Sequence, residues 1–97
     1  MIPAPKSALE ARRKARRGWS LLHLDATRSL LLAEQALASA GSDLLAAAWA
    51  RLTIGFHHLY FATPPEAAAE LRPAQEAFEA LGDRGGYVLA GTGLART

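Results

Sequence analysis

The sequence predicts an all-α fold of stacked antiparallel helical hairpins, about five helices in all. Three observations carry this. Ala and Leu dominate a composition that is 51% hydrophobic and 21% charged, as in folded helical domains. Apolar positions recur at spacings of three and four. Gly and Asp or Thr punctuate the runs where helices should stop and start.

The elements follow in order. Residues 1–6 form a flexible lead, and a single helical domain occupies 7–97. From Ser7, the positions Ala8, Ala11, Ala15, Trp19 and Leu22 make one helix face. Asp25 caps a second helix over 26–40, and Gly41 stops it. A third helix, 43–61, is apolar almost all round, the mark of a helix sandwiched between neighbours. In "TPPEAAAEL" (63–71), Thr63 is the cap, Pro64 takes the first helical position, and Glu66 completes a capping box. The fourth helix then runs to Leu81 and Gly82. Residues 7–40 and 43–81 thus form two hairpins, followed by an unpaired fifth helix over 83–96. That last segment, "DRGGYVLAGTGLART", holds four glycines, poor helix formers. Its helical assignment rests on an internal repeat.

Shifting the chain by 38 residues lays Ser29, Ala33 and Ala36 on Ala67, Leu71 and Ala74, and Trp49 and Gly55 on Tyr87 and Gly93. Such periods indicate stacked hairpins whose small residues let helices approach closely. Here the chain resembles the tetratricopeptide repeat family, best over 48–81. Ile54-Gly55 matches the family's Leu-Gly pair, and Ala67, Leu71 and Ala74 its small-bulky-small series. It departs at Arg51, His58 and Pro73, where the family usually differs, and Gly18 fits only with a turn one residue shorter. "AEQALASAGSDLLAAAWARLTIGFHHL" and "EAFEALGDRGG" look more narrowly like divergent arrays at the N-termini of bacterial signalling proteins, diguanylate cyclases first among them. The resemblance implies a non-catalytic interaction, sensory or dimerising module of a larger cytoplasmic protein, this chain being a fragment of it. It also implies a concave groove for a protein or peptide, lined by Trp49, Leu52, Phe56, Leu59 and Tyr60. Core packing is the competing reading, favoured for Leu52 and Leu59.

Charge is unevenly distributed. Residues 1–28 hold seven basic and two acidic side chains, the rest four and seven, giving +5 and −3. Arg12, Arg13, Lys14, Arg16 and Arg17 form a basic face that could meet nucleic acid or an anionic membrane surface. Without interleaved base-reading side chains, a solvated helix face is the stronger reading. A stand-alone adaptor using this face for an acidic partner or nucleic acid is the alternative function. A small-ligand sensor using the aromatic groove is a third.

Other chemistry lacks raw material. No cysteine is present, so disulfides and thiolate zinc sites are excluded. His57 and His58 are adjacent on a helix and point about 100° apart, unlike ligands spaced by three or four, and His23 is distant in sequence. No metal or other cofactor is expected. "AGTGLA" has no preceding strand and no Lys-Ser/Thr to make a phosphate loop. No catalytic triad can be assembled. Residues 44–62 approach bilayer length, but Arg51 near the centre would cost about 2.5–3.5 kcal/mol to insert, so no membrane insertion is expected. The uncovered apolar set of the fifth helix, Tyr87, Val88, Leu89 and Leu94, predicts self-association, either through that helix or through the Trp49–Tyr60 groove.

Overall fold

The computed structural model describes residues 4–97 as five α-helices: α1 (Lys6–Leu21), α2 (Ala26–Ser39), α3 (Leu44–Phe61), α4 (Pro64–Leu81) and α5 (Arg84–Ala95). Residues 1–3 of the expected lead lie outside the described residues. At its other end the lead is shorter than expected, because α1 already includes Lys6.

Caps set the boundaries. Asp25, Asp43 and Asp83 each accept a backbone N–H three residues on, from Arg28, Ala46 and Gly86, at 3.0 Å. These are sound N-caps. Gly41 and Gly82 take left-handed backbone conformations, φ 58° and 70°, which a Cβ would disfavour. The capping box at α4 forms only in part. Thr63 Oγ1 lies 3.5 Å from Glu66 N, a long contact. Glu66 does not reach back; its carboxylate sits 3.5 Å from His58 Nδ1 on α3. The interhelical partner competes successfully for the side chain that the box requires.

Short connections bring successive helices against each other, and α3 touches all four others. It accordingly buries nine residues, including Trp49, Leu52, Ile54 and Phe56. The repeat positions explain the close approaches. Ser29, Ala33, Ala36, Ala67, Leu71 and Ala74 are all completely buried. Gly18 faces α2, where an added Cβ would meet Ser29 O at 3.1 Å and Ala33 N at 3.3 Å. The Ser29 hydroxyl donates to Gly18 O at 2.6 Å and locks that crossing. Gly55 on α3 faces Leu71 of α4, and Gly93 on α5 faces Leu71 and Phe56. Gly86 lies directly under the Phe78 ring. Half of the glycines that weaken α5 as an isolated helix are thus what allow it to dock.

Arg12 ties α1 to the start of α3. Its Nε and Nη2 donate to the two carboxylate oxygens of Asp43 at 2.9 and 2.7 Å, a bidentate pair. This hydrogen bonding holds the Asp43 carboxyl below the ordinary carboxylate range, against the opposing effect of burial. A depressed carboxylate pKa stabilises the fold above the unfolded-state value and loses that stabilisation as pH falls through the folded value. Urea melts should therefore show Asp43 stabilisation fading below about pH 3.9, and Asp43→Asn should flatten that part of the profile. An identical acid slope in the variant would contradict the assignment.

The cap geometries also make a contrast. Near neutral pH, Asp43→Ala removes a well-formed cap as well as the Arg12 pair, so it should exceed the top of the range of about 0.5–2 kcal/mol for a lost cap. Thr63→Ala, with its long contact, should fall near the bottom. Equal losses in chemical denaturation would overturn the reading of the caps.

Candidate functional site

The aromatic face of α3 is closed. Trp49 is 8% exposed, Phe56 6% and Leu52 0%. The open groove expected at Trp49 and Phe56 is therefore corrected to core, while Leu52 is core, the reading favoured for it from the sequence. Trp19 of α1 lies over them, 6.2 Å from Trp49 and edge-on to Phe56 at 5.2 Å between ring centroids. Phe78 of α4 meets Trp49 edge-on at 5.4 Å. Leu59 is half-buried against the same core. Trp49 Nε1 is buried without a hydrogen-bond partner.

Of the five groove residues, Tyr60 alone is exposed, at 39%. It stands at the last turn of α3, between the turn that follows α1 and the residues just after α5. The His23 ring lies 5.4 Å from it, and Arg96 donates to its hydroxyl at 3.2 Å with the guanidinium 5.3 Å from the ring centre. Phe61 beside it is exposed and packs near His57, with ring centroids 4.8 Å apart. Burial, followed by the neighbouring His58, lowers the His57 pKa, an effect that Glu34 opposes. The His57 and His58 rings are nearly perpendicular, with centroids 6.4 Å apart. Among the described residues no group of three or more His, Cys, Asp or Glu side chains gathers as metal ligands do.

The basic face divides in two. Arg12 is held by Asp43, and the Arg16 guanidinium lies 4.5 Å above the Trp49 ring centre, a cation–π contact. Arg12, half-buried, serves the fold, which corrects the picture of five solvated charges at that position. Arg13, Lys14, Arg16 and Arg17 are exposed.

An open apolar depression lies elsewhere, at the turn between α4 and α5. It is a depression of about 400 Å³ lined by Phe78, Glu79, Arg84, Tyr87 and Val88 around the Gly82-Asp83 turn. Tyr87 is 40% exposed, Val88 62% and nearby Leu81 42%. The fifth helix's apolar set thus splits: Leu89 and Leu94 pack on the core, whereas Tyr87 and Val88 do not. Trp49 is covered by the Phe78 ring of α4, whereas Tyr87 stays exposed on α5. The sequence marked this helix as uncovered, but the depression itself needs Gly86 to bring α5 under Phe78.

No helix among the described residues is long and apolar enough to cross a membrane. In comparisons with known proteins, no family model, no curated protein and no solved structure matches this chain.

Proposed function

We propose that the chain is a non-catalytic protein-interaction module whose working surface is the α4–α5 end of the stack. The carrying observation is the apolar depression there, lined by exposed Tyr87 and Val88, large apolar side chains of the kind that a partner covers. The use of the buried hydroxyls supports the non-catalytic part. Ser29 donates to Gly18 O and Thr53 to Trp49 O, so both serve helix packing. The tetratricopeptide-like spacing supports a place within a larger cytoplasmic bacterial signalling protein, with a diguanylate cyclase as the proposed host.

Site-specific photocrosslinking in the native host cell tests this. A photoreactive residue at Val88 should give protein adducts, and one at Arg13 should not. Absence of any adduct at Val88 would contradict the assigned surface.

Exposed Arg13, Lys14, Arg16 and Arg17 favour the second reading, an adaptor for an acidic partner or nucleic acid. It requires affinity that falls steeply with salt and is lost on replacing those four residues. It has one free cation fewer than the sequence suggests, because Arg12 is paired with Asp43.

A further inference from the structure

Resting on the interaction reading, we infer that the occupant of the α4–α5 depression is a second copy of this chain. The two copies pair about a two-fold axis, with each Arg84 set against Glu79 of the other. Among the described helices, α5 packs on α4 and α3. Tyr87 and Val88 of α5 are exposed. Elsewhere in the chain an aromatic of this kind is covered by a ring from a neighbouring helix, as Phe78 covers Trp49. A helix from a second copy covers Tyr87 in the same way.

Charge selects the second copy. Glu79 and Arg84 both line the depression and are exposed, yet they do not pair with each other. The ion pairs among the described residues are Arg12–Asp43, Arg51–Glu70 and His58–Glu66. Asp83 accepts the Gly86 N–H at 3.0 Å and keeps its charge beside them. Glu79 and Arg84, opposite in sign and without an ion-pair partner among the described residues, can each meet the other residue of a second copy beside the apolar centre, as a two-fold interface requires. The opposite end of the stack is less suited to pair this way, because exposed Arg13, Lys14, Arg16 and Arg17 outweigh Glu10 and would repel a second copy. Pairing through α4–α5 keeps these basic faces apart.

Sedimentation equilibrium of the purified chain, from low to high micromolar concentration, tests the inference. The expected result is a monomer–dimer equilibrium that saturates at two copies. Arg84→Glu and Glu79→Arg should each weaken it about ten-fold or more through like-charge contacts, and Arg84→Glu combined with Glu79→Arg should restore it. Both positions are exposed, so unchanged circular dichroism and melting should accompany each variant. A wild-type monomer throughout, mass that keeps growing head to tail, or a dimer indifferent to the swaps would each overturn the inference, as would singles that weaken without rescue by the double variant. The Val88 crosslink separates the two levels. An adduct with a different protein, from a chain that sediments as a monomer, overturns the self-pairing and leaves the interaction reading standing.

Discussion

Phe78→Ala should destabilise the chain by about 3–5 kcal/mol, the usual range for a deleted core aromatic. Phe78 is completely buried. One edge of its ring meets Trp49 of α3, and its face covers Gly86 of α5. The side chain therefore joins three helices. Total stabilities are commonly about 5–15 kcal/mol, so a small domain should lose much of its margin. Urea denaturation followed by circular dichroism measures the loss. A change below about 1 kcal/mol, less than a typical large-to-small core substitution, would mean that α5 is held by other contacts.

Leu71→Ala should cost about 2–5 kcal/mol, and a second substitution shows why. Leu71 sits between two notches, one left by Gly55 on α3 and one by Gly93 on α5. A Cβ at Gly55 would stand 2.6 Å from both Leu71 Cγ and Cδ2. Gly55→Ala is therefore expected to destabilise the wild type despite the better helix propensity of alanine. In the Leu71→Ala background the obstruction is gone, and the same change should stabilise, by up to about 1 kcal/mol. That reversal of sign is a coupling which a double-mutant cycle isolates. Equal effects of Gly55→Ala in the two backgrounds would contradict the notch.

The helices were legible because their ends are written locally. An aspartate three residues before the N–H it caps, or a glycine at positive φ, needs no distant partner to act. The 38-residue spacing also pointed to Leu71, Gly55 and Gly93, since close helix contacts demand small residues opposite large ones. It further justified a helical α5 against the propensity of its glycines. The candidate groove was legible only in part. Periodicity places Trp49, Leu52 and Phe56 on one side of α3, but not whether another helix covers that side. The cover comes from Trp19, thirty residues before Trp49 in sequence. Arg12 and Asp43 are 31 residues apart, so their pairing, which removes one cation from the basic face, was equally hidden. Glu66 shows the converse: a local motif was read correctly as a pattern, and a contact with His58 redirected its side chain.

Hydrogen exchange of the chain, compared at low and high micromolar concentration, tests its self-pairing through α4–α5 most directly. Slower exchange at high concentration should be confined to the C-terminal turn of α4 and to α5, around Glu79, Arg84, Tyr87 and Val88, with α1 unchanged. Protection that is independent of concentration everywhere, or that appears instead along Arg13–Arg17, would contradict that pairing.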